Sequence, residues 1–296
     1  MESSFATTVL LPIALAVIMF GLGLSLTLKD FARVLTYPRA VLVALGCQTI
    51  LLPAACFGMV HLLGLAPELA VGMMLLAASP GGTTANLFSH LAHGDVALNI
   101  TLTAVNSVLA VVTLPVVVNL SLDYFLGDGA AIGLQFDKTL QVFAIVLIPV
   151  ALGLLARSRA PGLATRAERP VKLLSVLFLV ATIAAAVFQE RANIAGYLAD
   201  VGVAAVLFSV LSIAVGYLAP RLLRVDVRQS IAAAMEIGIH NSVLAITVAL
   251  SPVLLNNPRI AIPAAVYGVV MFGTAGAFGY LISRRVRAPA PRPGPG

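Results

Sequence analysis

Nine apolar runs, each long enough to cross a bilayer, follow one another with little between them. They cover roughly residues 5–28, 40–63, 68–92, 95–122, 138–157, 171–189, 194–220, 228–250 and 258–283. A span needs about 20 apolar residues, so a chain of 296 leaves no room for a separate soluble domain. In lipid only helices and closed barrels satisfy their own backbone. These runs are too long and too uniformly apolar for barrel strands, whose residues alternate between lipid and lumen. The chain therefore reads as an all-α polytopic membrane protein with nine transmembrane helices. Charged residues are only 10% of it, against about 25% in soluble domains.

The 18 basic residues test the count. One set of alternate loops holds Lys29, Arg33 and Arg39, then Arg157, Arg159, Arg166, Arg169 and Lys172, then Arg221, Arg224 and Arg228, then Arg284, Arg285, Arg287 and Arg292. The opposite loops hold only Lys138, Arg191 and Arg259. The crowded side is cytoplasmic by the positive-inside rule. That places the N-terminus outside and the C-terminus inside a cell (inner) membrane, and an even number of spans would spoil the alternation. A net charge of +6 would suggest nucleic acid in a soluble protein. Here it lies in short loops and orients the chain, so no nucleic-acid partner is expected. Met1-Glu2-Ser3-Ser4 lacks the basic start of a cleavable signal, so the first run reads as a retained helix. Residues 1–287 form one transmembrane unit, and the Pro- and Gly-rich 288–296 reads as a disordered tail. Cys47 and Cys56 share one apolar run, too far apart to bridge, and read as packing residues.

Two of the runs are interrupted. The third contains Ser79-Pro80-Gly81-Gly82-Thr83-Thr84-Ala85-Asn86, and Pro followed by two Gly does not continue an α-helix. The eighth breaks its apolar pattern over Glu236-Ile237-Gly238-Ile239-His240-Asn241-Ser242. Interrupted spans leave backbone groups free, which is tolerated only where protein, water or an ion covers them. Paired interruptions point to a transporter's central site. Glu236 is the one acidic residue of twelve set within a long apolar run. A carboxylate at that depth costs several kcal/mol unless something compensates it.

More polar groups surround the breaks. Asn99, Thr103 and Asn106 share one helix face at i, i+4 and i+7, and Gln48 stands alone in the second run. Such oxygens are hard ligands suited to Na⁺, by analogy with other hard cations. Freed half-helix N–H groups suit an anion.

At these residues the chain resembles the bile acid:sodium symporter family. The similarity runs from Ile18-Met19-Phe20-Gly21-Leu22-Gly23-Leu24, through Pro80-Gly81-Gly82-Thr83 with Asn86 and Gly94-Asp95-Val96-Ala97-Leu98, to Glu236, Gly238 and Asn241 in a Glu-x-Gly-x-x-Asn pattern. The resemblance implies a core domain (about 40–122 and 171–250) and a panel domain (about 5–28, 138–157 and 258–283), related internally by inverted repeats. The chain looks like a ten-helix form lacking its first helix. Two broken helices would cross in the core, with two Na⁺ behind the crossing and an organic anion in front. One sodium site would draw on Asn86, Asn99, Thr103 and Glu236, with Ala85 where the family commonly has a serine. The other would draw on Gln48, Glu236, the carbonyls of Ile237 and Ile239, and His240, where the family usually has a glutamine. Thr83 and Asn241 would face the substrate.

The function so implied is sodium-coupled symport of a small organic anion by alternating access. The alternative keeps the fold but makes transport uncoupled or proton-coupled through His240 and Glu236. An intramembrane enzyme is disfavoured: no Gly-x-Ser-x-Gly or His-Glu-x-x-His pattern occurs, and four scattered His make no metal set. His61, His90 and His93 are given no chemistry, and Gly21 and Gly23 are expected to permit close helix approach.

Overall fold

The computed structural model of the chain describes residues 16–127, 136–177 and 194–287, apart from 18, 22, 25, 83, 168–169, 172, 175–176 and 252–253; side chains are not described at 136–147, 194–195, 197 and 285–287. Most of the expected first and sixth runs, Thr83 and the 288–296 tail lie outside the described residues. The elements in order are a short α1 (Leu28–Ala32), α2 (Pro38–Leu62), α3 (Pro67–Ala78), α4 (Thr84–Leu91), α5 (Val96–Leu126), α6 (Phe136–Arg159), α7 (Ile194–Leu222), α8 (Val227–Gly238), α9 (Ser242–Leu250) and α10 (Pro258–Arg287). Among the described residues, α2, α5, most of α7 and most of α10 are long and apolar enough to cross a membrane.

Local chemistry sets the ends. Pro38 and Pro67 open α2 and α3 in the first turn, where a missing N–H costs nothing. Asp95 caps α5 by accepting from the Leu98 N–H at 3.0 Å, and Asp226 caps α8 through the Arg228 N–H at 2.8 Å. Gly127, with φ 71°, ends α5, a backbone shape that glycine adopts without strain.

The third and eighth runs are each two pieces. α3 has 12 residues and α4 has 8; α8 has 12 and α9 has 9. A 12-residue helix is about 18 Å long, too short to cross alone. The second break is narrower than its residues suggest. α8 stays helical through Gly238, and only 239–241 open, so Glu236 sits in the last turn of a half-helix rather than in unwound chain. The Ile239 N–H still donates to Met235 O at 3.0 Å, which carries the helical pattern past Gly238.

α3 is buried from Leu69 to Ala78 and α8 from Ser230 to Gly238. α3 lies among α2, α5 and α10, and α8 among α4, α5 and α7. The long helices keep an apolar outer face: Leu42, Ile50, Val112, Val203 and Val269 are exposed, which suits lipid rather than water. Gly23 meets the backbone of Val150 and Gly153, the close helix approach expected of it.

Candidate functional site

Pro80 has no N–H and Gly81 and Gly82 do not hold a helix, so the chain between α3 and α4 has backbone groups to satisfy. It satisfies them against the other break. Gly82 N donates to Ile239 O at 2.7 Å and Asn241 N donates to Pro80 O at 2.8 Å. Gly81 and His240 thus form an isolated antiparallel bridge. The two interruptions cross, and each supplies what the other lacks.

Glu236, 1% exposed, reaches across this bridge. A Cβ on Gly81 would strike the Glu236 carboxyl carbon and both its oxygens, so only glycine lets the carboxylate lie there. Thr103 donates to Glu236 Oε2 at 2.5 Å, and Asn106 also faces the carboxylate. The Gly81 backbone also lies close to the carboxylate, but Glu236 Oε1 is buried and meets no donor with hydrogen-bond geometry. Asn99 Nδ2 donates to Ala232 O at 2.7 Å, which fixes the amide and leaves Asn99 Oδ1 buried and unpartnered. Asn86 Oδ1, in the first turn of α4, is in the same condition. Unpartnered buried polar atoms are rare in folded proteins and call for an occupant. Three such oxygens, one on a carboxylate, fit a small hard cation. No cluster of three or more His, Cys, Asp and Glu occurs among the described residues.

Gln48 and His240 meet on another side of the crossover. Gln48 lies in a π-helical stretch, Cys47–Leu51, within α2; such widened turns recur at functional sites. Its Nε2 donates to Ser79 O at 3.0 Å and lies 3.4 Å from His240 Nδ1. His240 Nδ1 is 3.3 Å from the same Ser79 carbonyl. The imidazole stacks on Phe208 (5.4 Å, 19°) and meets the edge of Tyr267 (5.4 Å, 67°).

Of the other anticipated residues, Ile237 is buried in the last turn of α8 and Ile239 contributes its carbonyl to the bridge. Ala85 is buried, and its N–H donates to Gly82 O at 2.9 Å. Asn241 is half-buried and caps α9, its Oδ1 accepting from Leu244 N at 3.0 Å. Ser79, Phe208 and Tyr267 were not anticipated. Tyr267 donates to Gly238 O at 2.9 Å, closing the end of α8. A phenol in an apolar span needs a partner, which was the available signal. For Ser79 it was the neighbouring proline, which pushes the preceding residue out of the helix.

A family model described as the sodium bile acid symporter family matches residues 12–197. The chain is 31% identical over 257 residues to an uncharacterized sodium-dependent transporter, YocS, of Bacillus subtilis, covering 87% of this chain and 78% of the relative. It is 31% identical over 258 residues to the probable chloroplastic sodium/metabolite cotransporter BASS1 of Arabidopsis thaliana, covering 87% of this chain and 62% of the relative. To the human ileal sodium/bile acid cotransporter it is 23% identical over 250 residues, covering 83% of this chain and 70% of the relative.

Proposed function

This chain belongs to the sodium bile acid symporter family, and from that premise we propose that it carries a small organic anion together with Na⁺ across the cell membrane by alternating access. It is a multi-pass transporter and not an enzyme. One observation carries the reading: Glu236 Oε1, Asn86 Oδ1 and Asn99 Oδ1 are buried oxygens without partners on three helices, α8, α4 and α5, that pack together. Na⁺ entering there neutralises Glu236 and removes the cost of the buried charge. Thr103 holds the carboxylate in place from the other oxygen.

The ion then acts through the bridge. Glu236 lies against Gly81, and Gly81 is paired with His240, so fixing the carboxylate fixes both breaks. Asn241 follows directly. Its Oδ1 is held by Leu244 N, which leaves its amide N–H groups to meet a carboxylate or sulfate at the start of α9, where the helix dipole favours negative charge. Thr83, outside the described residues, is proposed to meet the same anion from the first break. The core (about 40–122 and 171–250) then rocks against the panel (about 5–28, 138–157 and 258–283), in a nine-helix inverted repeat with its N-terminus outside and C-terminus inside.

The test is a thermal-shift screen of purified protein against carboxylates and sulfated steroids, in NaCl and in choline chloride, over about pH 5.5 to 8.5. A ligand raises apparent stability as it fills its site. The expected result is anion stabilisation that requires Na⁺. Stabilisation equal in choline but steeply dependent on pH would shift the reading to proton coupling.

A further inference from the structure

We propose that His240 sets the cation stoichiometry of this transporter at one, its imidazole standing where a second sodium ion would otherwise bind beside Gln48. The inference rests on the sodium-coupled reading above. Seven buried side-chain polar atoms lack a partner among the described residues, and apart from Ser89 Oγ they divide into two chemically distinct groups. Around α4, α5 and α8 they are Asn86 Oδ1, Asn99 Oδ1 and Glu236 Oε1, all oxygens and one of them anionic. On the side of α2 and α7 they are Gln48 Oε1, Ser212 Oγ and His240 Nε2, all on uncharged side chains. The first group suits a cation. The second suits a water molecule, which needs only neutral donors and acceptors.

Beyond those three atoms, the polar groups facing His240 are engaged with protein. Gln48 turns an N–H donor, not an oxygen, toward Ser79 O and the imidazole. His240 Nδ1 shares that same carbonyl. Stacking on Phe208 and the edge of Tyr267 confine the ring from two sides. Two nearby carbonyls already accept a hydrogen bond: Ile239 O from Gly82 N, and Gly238 O from the Tyr267 hydroxyl.

Charge balance argues in the same direction. Glu236 is the one carboxylate at the crossover among the described residues, and it is 1% exposed. One Na⁺ beside it makes a neutral pair. In the substrate-free protein a second, held only by neutral ligands, leaves a buried positive charge with no anion beside it, which is unfavourable. A glutamine at position 240 would replace a planar ring by a flexible amide with a carbonyl oxygen to offer. His240 is therefore a specificity-determining residue for how many ions accompany the substrate.

The experiment counts ions on the purified full chain, with Na⁺ as the only ligand. Equilibrium binding of radioactive sodium gives the number at saturation. The slope of stabilisation against the logarithm of Na⁺ concentration, at constant ionic strength in choline, counts ions independently. The wild-type chain is expected to bind about one ion, and His240→Gln about two, with the slope rising about twofold. Two ions on the wild type overturn the proposal. So does a folded His240→Gln protein that still binds one. If that variant does not fold, the wild-type count still decides the stoichiometry, and His240→Asn repeats the test at the ring. A wild-type chain with no response to Na⁺ overturns the sodium-coupled reading itself, an outcome distinct from a count of two.

Discussion

After Ala78 the helix ends because Pro80 has no N–H to return to Leu76, and Ser79 N donates to Leu76 O instead at 3.0 Å. After Gly238 the chain meets Ile239, His240 and Asn241, none of which forbids a helix. That second opening is held by contacts from elsewhere: Gly82 N on Ile239 O, Pro80 O on Asn241 N, and the Tyr267 hydroxyl on Gly238 O. The first break is thus intrinsic to its residues and the second is conditional on its surroundings. Among the described residues, the only carboxylate of the crossover sits on the conditional side, one turn before the opening. An ion held at Glu236, as proposed, would act on the half of the crossing whose shape is negotiable.

Charge gives the largest separation between the halves. Glu236→Gln keeps the shape and removes the anion, so Na⁺-dependent uptake should fall to background while expression stays normal. Sodium dependence surviving in that variant would end the claim that the conditional half holds the ion. Adjacent glycines come next. A Cβ at Gly81 collides with the Glu236 carboxyl, whereas at Gly82 the nearest atom is Thr84 Oγ1 at 3.5 Å. Gly81→Ala should lose about 1–3 kcal/mol and most of its stabilisation by Na⁺, and Gly82→Ala much less. Equal melting curves and equal sodium responses for the two would show that the carboxylate does not lie against Gly81.

Tyr267→Phe offers a smaller effect confined to the second break. It removes one hydrogen bond to Gly238 O, with an expected loss of about 1 kcal/mol and a looser 239–241 by hydrogen exchange. Unchanged exchange there would mean that the opening does not lean on α10. The mildest comparison involves no stability at all. Peptides covering 67–91 and 227–250, in detergent micelles, should differ by NMR: the first interrupted at 79–82, the second helical through 239–241. An interruption in both would make the breaks equivalent.

Much of this arrangement was legible in the residues. Pro80-Gly81-Gly82 announces its own break, and a lone carboxylate in an apolar run demands company. The i, i+4, i+7 spacing put Asn99, Thr103 and Asn106 on the face that meets Glu236 and Ala232. The end of α8 was not legible, because Ile239–Asn241 open through pairing with residues some 160 positions earlier. The π-helical stretch around Gln48 and the ring cage of Phe208 and Tyr267 around His240 were hidden for the same reason. They depend on packing between distant segments, which periodicity within one segment does not encode.

The two-rung pairing of Gly82 with Ile239 and Asn241 with Pro80 also bears on how the chain is made. The membrane receives the first interruption early in synthesis, with an amide and a carbonyl exposed at a depth where nothing but protein or water can satisfy them. Their partners are not yet translated. Until residues 239–241 arrive, that amide and carbonyl lack their final partners, so the crossing closes only late in synthesis.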